Sequence, residues 1–161
     1  MALEGEREAF EDRFRSDGFK IYQINLRGLD TTVATNEEFR LKWLASKMIH
    51  FAFMAEMPQV TQADIDEFSA QAFEHARQNY SGLPRGFQKG FVVYPALISH
   101  SIDAAAKRWV ESESRKHFAA FEMPVLVDRQ NGSLHYYPKT PLWGRMYYKT
   151  FRQFVEKYFR S

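Results

Sequence analysis

The spacing of apolar residues switches repeatedly between a period near 3.6 and a period of 2, and that switching limits the folds open to this chain. A helix buries one stripe of its surface, whereas a half-buried strand buries every second residue. Residues 3–16 place Leu3, Phe10 and Phe14 on a short helical stripe that Asp17-Gly18 ends. Tyr22, Ile24 and Leu26 then alternate with Gln23, Asn25 and Arg27, as in a strand with one wet face. Gly28 to Thr35 reads as a loop. Thr35 followed by Glu38 matches a capping box and predicts a helix to about Met57. Its second half (Met48, Ile49, Phe51, Ala52, Phe53, Met54) is apolar on nearly every side, which predicts a central buried helix stopped by Pro58.

Thr61 opens a further helix, with Asp64, Asp66 and Glu67 in the first turn, where the dipole favours acids. Ile65, Phe68, Ala72, Ala76 and Tyr80 form its stripe, and Ser81-Gly82-Leu83-Pro84 closes it. Phe91 to Leu97 reads as a buried strand, which Pro95 assigns to an edge or a bulge because proline cannot donate to a ladder. Ser99 or Ser101 is placed to cap the next helix, with Ile102, Ala105, Ala106, Trp109 and Val110 on its buried face. Lys116 and His117 suit the C-terminal end of that helix. Two strands at about 122–128 and 133–138 are joined through Asn131-Gly132, a strong hairpin signal. Thr140-Pro141 then starts a final helix. Leu142, Met146, Thr150, Phe154 and Tyr158 recur along it, and Tyr147, Phe151 and Val155 broaden its apolar face.

The order α-β-α-α-β-α-β-β-α predicts an α+β domain spanning 1–161, with a small mixed or antiparallel sheet of about four strands and about four or five helices. No repeat, low-complexity tract or linker divides the chain. At 161 residues, 45% hydrophobic and 26% charged, it can bury a sizeable core, and intrinsic disorder does not fit. The absence of cysteine excludes disulfides, thiolate metal sites and thiol catalysis. The acidic start MALEGEREAFEDRF is not a signal peptide, and no stretch approaches the roughly 20 apolar residues of a membrane helix. A soluble, cytoplasmic domain is therefore expected.

A net charge of +2 carries no global argument for nucleic acid, but its distribution is uneven. Glu4, Glu6, Glu8, Glu11, Asp12 and Asp17 crowd the start, while Lys139, Arg145, Lys149, Arg152, Lys157 and Arg160 crowd the end. Such ends can pair with each other, although solvated faces are the simpler expectation.

Motifs with a known mechanism are absent. His50 and His75 adjoin buried stripes and are expected to be hydrogen-bonded core residues. His100 sits before a helix, His117 at a helix end, and His135 on a strand facing solvent. No pair has metal-ligand spacing. Neither Ser81-Gly82 nor Ser99-His100-Ser101 has the context of a nucleophile elbow, and a Ser-His-Asp set assembled in space is open to any chain of this size. In PRGFQKGF, Gly86 and Gly90 bracket Phe87-Gln88-Lys89 without matching a phosphate loop, though Arg85 and Lys89 can meet an anion. Glu122, Asp128 and Lys139 border the hairpin as a nuclease site would, but a Glu-x-Lys pair is missing and Asp128 also suits a turn.

The run from Leu83 to Tyr148 and the helix after it are the most suggestive region, because they place aromatic rings beside cations. Trp143, Tyr147 and Phe151 have core spacing, whereas Tyr137, Arg145, Lys149 and Arg152 are expected to point outward together. The expected function is a binding or interaction module for a protein partner or a second copy. Arg85, Lys89, Lys139, Arg145 and Lys149 would contact the partner or an anion, with Trp143 and Tyr137 as aromatic anchors. Single-stranded nucleic-acid binding is a second expectation. A small enzyme (metal-dependent nuclease or hydrolase) near Asp128 and His117 is a third. No catalytic residue, metal ligand or cofactor is assigned.

Overall fold

The first hairpin turns on two residues with left-handed backbone, Arg27 (φ 54°) and Gly28 (φ 79°), in the computed structural model of the chain. That model describes residues 2–36, 47–79, 89–112, 115–117, 120–140 and 145–161. Leu26 pairs with Leu29 across this two-residue loop, and positive φ at both central positions gives the turn whose twist matches its strands. Asn25 Oδ1 accepts the Gly28 amide at 2.9 Å. The turn joins β1 (Lys20–Leu26) to β2 (Leu29–Asn36), so the expected loop at Gly28–Thr35 is a strand. Its Thr-Thr-Val core is fully buried, where β-branched side chains pack well on the pleat.

Lys47–Glu56 is a strand, β3, not the second half of a buried helix. An apolar run without period fits a buried strand as well as a buried helix, and here both faces are covered. Residues 37–46, which carry the predicted start of that helix, lie outside the described residues. β3 pairs antiparallel with β2 and parallel with β4 (Lys89–Ser99) across the helix α2 (Gln62–Asn79). Of the stripe expected for α2, Ile65, Phe68, Ala72 and Ala76 are buried, and Tyr80 lies outside the described residues.

β4 lies inside the sheet, so Pro95 does not mark an edge. Val93 and Ser99 send their carbonyls to Met123 and Arg129 on the far side, and strand alternation turns the Pro95 nitrogen the same way. There the neighbouring strand is interrupted: β6 (Ala120–Glu122) and β7 (Val125–Asp128) both run parallel to β4, with Met123 and Pro124 between them. The missing donor therefore faces a gap in the ladder. β5 (Arg115–His117) flanks β6 and β8 (Ser133–His135) flanks β7, both antiparallel. Lys116 and His117 thus lie on a strand rather than at a helix end. The helix before them, α3, spans Ala104–Ser112. Asp103 immediately precedes it, while the hydroxyl of Ser99 bonds the carbonyls of Pro58 and Ser101 instead of capping it.

The predicted mixture of helices and a mixed sheet is present, but the sheet has eight strands among the described residues rather than about four. Helices cover both faces, giving three layers. On one side α1 (Ala2–Ser16) and α4 (Arg145–Phe159) pack Phe10, Phe14, Phe151 and Phe159 onto Ala34, Ala52, Met54 and Tyr94. On the other, α2 and α3 cover Phe51, Phe53, Val93 and Leu97. Stacked rings bind α4 to the rest: Tyr94 on Phe154 at 4.1 Å and Phe14 on Tyr158 at 4.2 Å. The acidic and basic ends of the chain also meet. Lys157 Nζ lies 2.7 Å from Asp17, which also accepts the Tyr158 hydroxyl, so these are not merely two solvated faces.

Candidate functional site

The carboxyl ends of parallel strands are the usual ligand-binding edge of open α/β sheets, and here that edge is occupied by protein. Arg129 is buried in an ion pair with Glu6 and lies 5.1 Å over the Phe10 ring. Asp128 accepts Lys107 Nζ at 2.8 Å, the amides of Gln130 and Asn131, and Asn131 Nδ2. These donors outweigh the opposing effect of burial, which is the largest single influence, and hold the Asp128 carboxyl down at about 2. Asp128 therefore starts the 129–132 turn, the structural role its position suggested. Glu122 lies six positions earlier along nearly the same strand path, about 20 Å away at the rise of a strand. The two acids do not converge on one ion. Among the described residues no cluster of three metal-ligating groups forms.

A groove of about 450 Å³ opens instead at the β8 edge, against α4 and the end of α3. Leu134, Tyr136 and Pro138 form one wall, and Arg152, Glu156 and Arg160 the other. Glu156 accepts the Tyr136 hydroxyl and both Arg160 donors, which lowers the Glu156 carboxyl. Burial first, then that carboxylate, pushes the Tyr136 phenol up to about 12. Arg152 binds the Lys139 carbonyl at 3.0 Å and Thr140 Oγ1 at 2.8 Å, fastening the segment after β8 to α4.

Part of the backbone of this wall has no backbone partner among the described residues. Arg129 donates toward β4, so the amides of Leu126 and Asp128 face β8, and their register partners His135 and Ser133 face back. Leu134, between them, turns its amide and carbonyl outward. Residues 136–140 form no backbone–backbone hydrogen bond among the described residues.

Ser133 and His135 share the other face of β8. Ser133 Oγ lies 3.1 Å from His135 Nε2, and His135 Nδ1 lies 2.9 Å from Glu111 Oε1 on α3. His135 is thus engaged rather than simply facing solvent. Two residues apart on a strand, Ser133 and His135 were identifiable as neighbours from sequence, but Glu111 belongs to another element and was not.

Of the predicted contact residues, Lys139 and Lys149 are exposed on the two sides of this region. Tyr137 is half-buried with its ring 6.0 Å from that of Tyr148. Arg145 begins α4, one turn before Lys149. Lys89 begins β4 opposite Lys47 at the other end of the sheet, away from the hairpin turn. Arg85 and Trp143 lie outside the described residues. His50 and His75 are hydrogen-bonded as expected, to Tyr94 at 3.1 Å and Tyr22 at 3.0 Å, although His50 stands on a strand. His100 is exposed. No described helix is long and apolar enough to cross a membrane. No protein-family model, curated protein or solved structure matches this chain.

Proposed function

We propose that the chain is a binding module whose partner, an acidic segment of another protein, lies in the groove between residues 133–140 and α4. The observation that carries this reading is a groove with an open strand edge on one wall and cations around it. An extended segment can add main-chain hydrogen bonds along such an edge. Lys139 and Lys149, with no ion pair among the described residues, favour acidic side chains on the incoming chain. Arg145, Trp143, Lys89 and Arg85 remain proposed contributors of cationic or aromatic contact.

Single-stranded nucleic acid fits less well. Tyr137 and Tyr147 pack against Tyr148 and Phe121, which leaves less free ring surface for stacking bases. The test is a double charge reversal, Lys139→Glu with Lys149→Glu, assayed by co-purification from the cells that make the protein. The partner should be lost with the thermal midpoint nearly unchanged. An undiminished complex would place the binding surface elsewhere. A retained partner that proves to be nucleic acid, released steeply by salt, would favour the other reading.

A further inference from the structure

On the face of β8 turned away from that groove, we propose that Ser133 is an activated nucleophile that transfers acyl groups from small activated esters to water. A carboxylate only accepts hydrogen bonds, so Glu111 Oε1 places the ring proton of neutral His135 on Nδ1. Nε2 is then left as an acceptor, and the neighbour within reach of it is the Ser133 hydroxyl at 3.1 Å. Nucleophile, base and positioning carboxylate thus follow one another in the sequence that activates a serine. Ser133 and His135 are partly exposed on that face of β8, so a small ester can reach the relay from solvent.

Ser133 Oγ bonds the acyl carbon as its proton passes to His135 Nε2. The bond to the leaving alcohol breaks, and that oxygen takes the proton back from the imidazolium. Water then repeats the step in reverse, releasing the acid and restoring serine. The turn that carries Ser133 limits this chemistry. The Gln130 and Asn131 amides are engaged by Asp128 Oδ1, so they stabilise no oxyanion. Loss of such a donor costs roughly 100- to 1,000-fold in rate, which restricts the substrate to esters with good leaving groups.

Intact-mass analysis after treatment with a fluorophosphonate, and hydrolysis of p-nitrophenyl acetate, test the proposal. One phosphonyl adduct is expected on the native protein and none on Ser133→Ala. His135→Ala should slow labelling by about 100-fold or more. Glu111→Gln should slow it as well, and Glu111→Asp should restore it, which a purely structural role for Glu111 does not predict. Unchanged thermal midpoints would confirm that the variants are folded. Absence of an adduct, or an adduct that persists in Ser133→Ala, overturns the assignment. The Lys139→Glu/Lys149→Glu variant should label normally, so failure of the binding reading and failure of this one are separable.

Discussion

His50 shows how burial turns a residue into a liability at mild acid. Its ring lies 5.0 Å from that of Phe154 at an angle of 7° and hydrogen-bonds the Tyr94 hydroxyl. Removal from water lowers it from 6.5 to about 4. The folded value is depressed, so between those two limits the unfolded chain holds a proton that the folded chain rejects. Stability should accordingly fall as pH drops through that window, by up to about 3 kcal/mol at 1.36 kcal/mol per unit. Urea titrations at pH 7 and pH 4.5 measure the difference. His50→Gln should remove most of it, whereas an equal loss in the variant would assign the acid sensitivity to other groups. The role expected for His50, a satisfied core polar group, was legible from its apolar neighbours alone.

At the level of elements, legibility followed periodicity. α2 and the alternation in β1 were read correctly because each exposes one face, and α4 because its aromatic stripe repeats at helical spacing. β3 was misread because HFAFMA is covered on both faces, which erases the alternation that identifies a strand. The β1–β2 turn was missed because Arg27 fills a position usually given to asparagine or glycine. Its left-handed backbone makes the turn testable. A Cβ on Gly28 meets nothing within 4 Å, so Gly28→Ala carries only the backbone penalty of positive φ. That substitution should cost about 1 kcal/mol of unfolding free energy. No change would mean that the hairpin is not under this constraint.

For the whole molecule, the topology favours the hairpin region as the proposed recognition surface. Sheet faces are covered by helices on both sides, and the carboxyl ends of the parallel strands are closed by α1 through Glu6 and Arg129. At the β8 side the backbone emerges from the ladder, and residues 136–140 have no backbone–backbone hydrogen bond among the described residues. Sequence alone pointed to this region through its tyrosines and cations. It could not show that Tyr136 would be tied to Glu156, or that Glu111 would reach His135 from α3, because those contacts join residues far apart in the chain. The uneven charge was legible too, and part of it is structural, since Asp17 and Lys157 join the first and last helices.

The most direct test of the proposed binding surface is photo-crosslinking in the producing cells, with benzoylphenylalanine at position 149 and, as a control, at the exposed position 74 on α2. A discrete protein adduct from position 149 and none from position 74 is the predicted result. An adduct from position 74 alone, or the same pattern from both sites, would contradict the assignment of the partner to the β8–α4 groove.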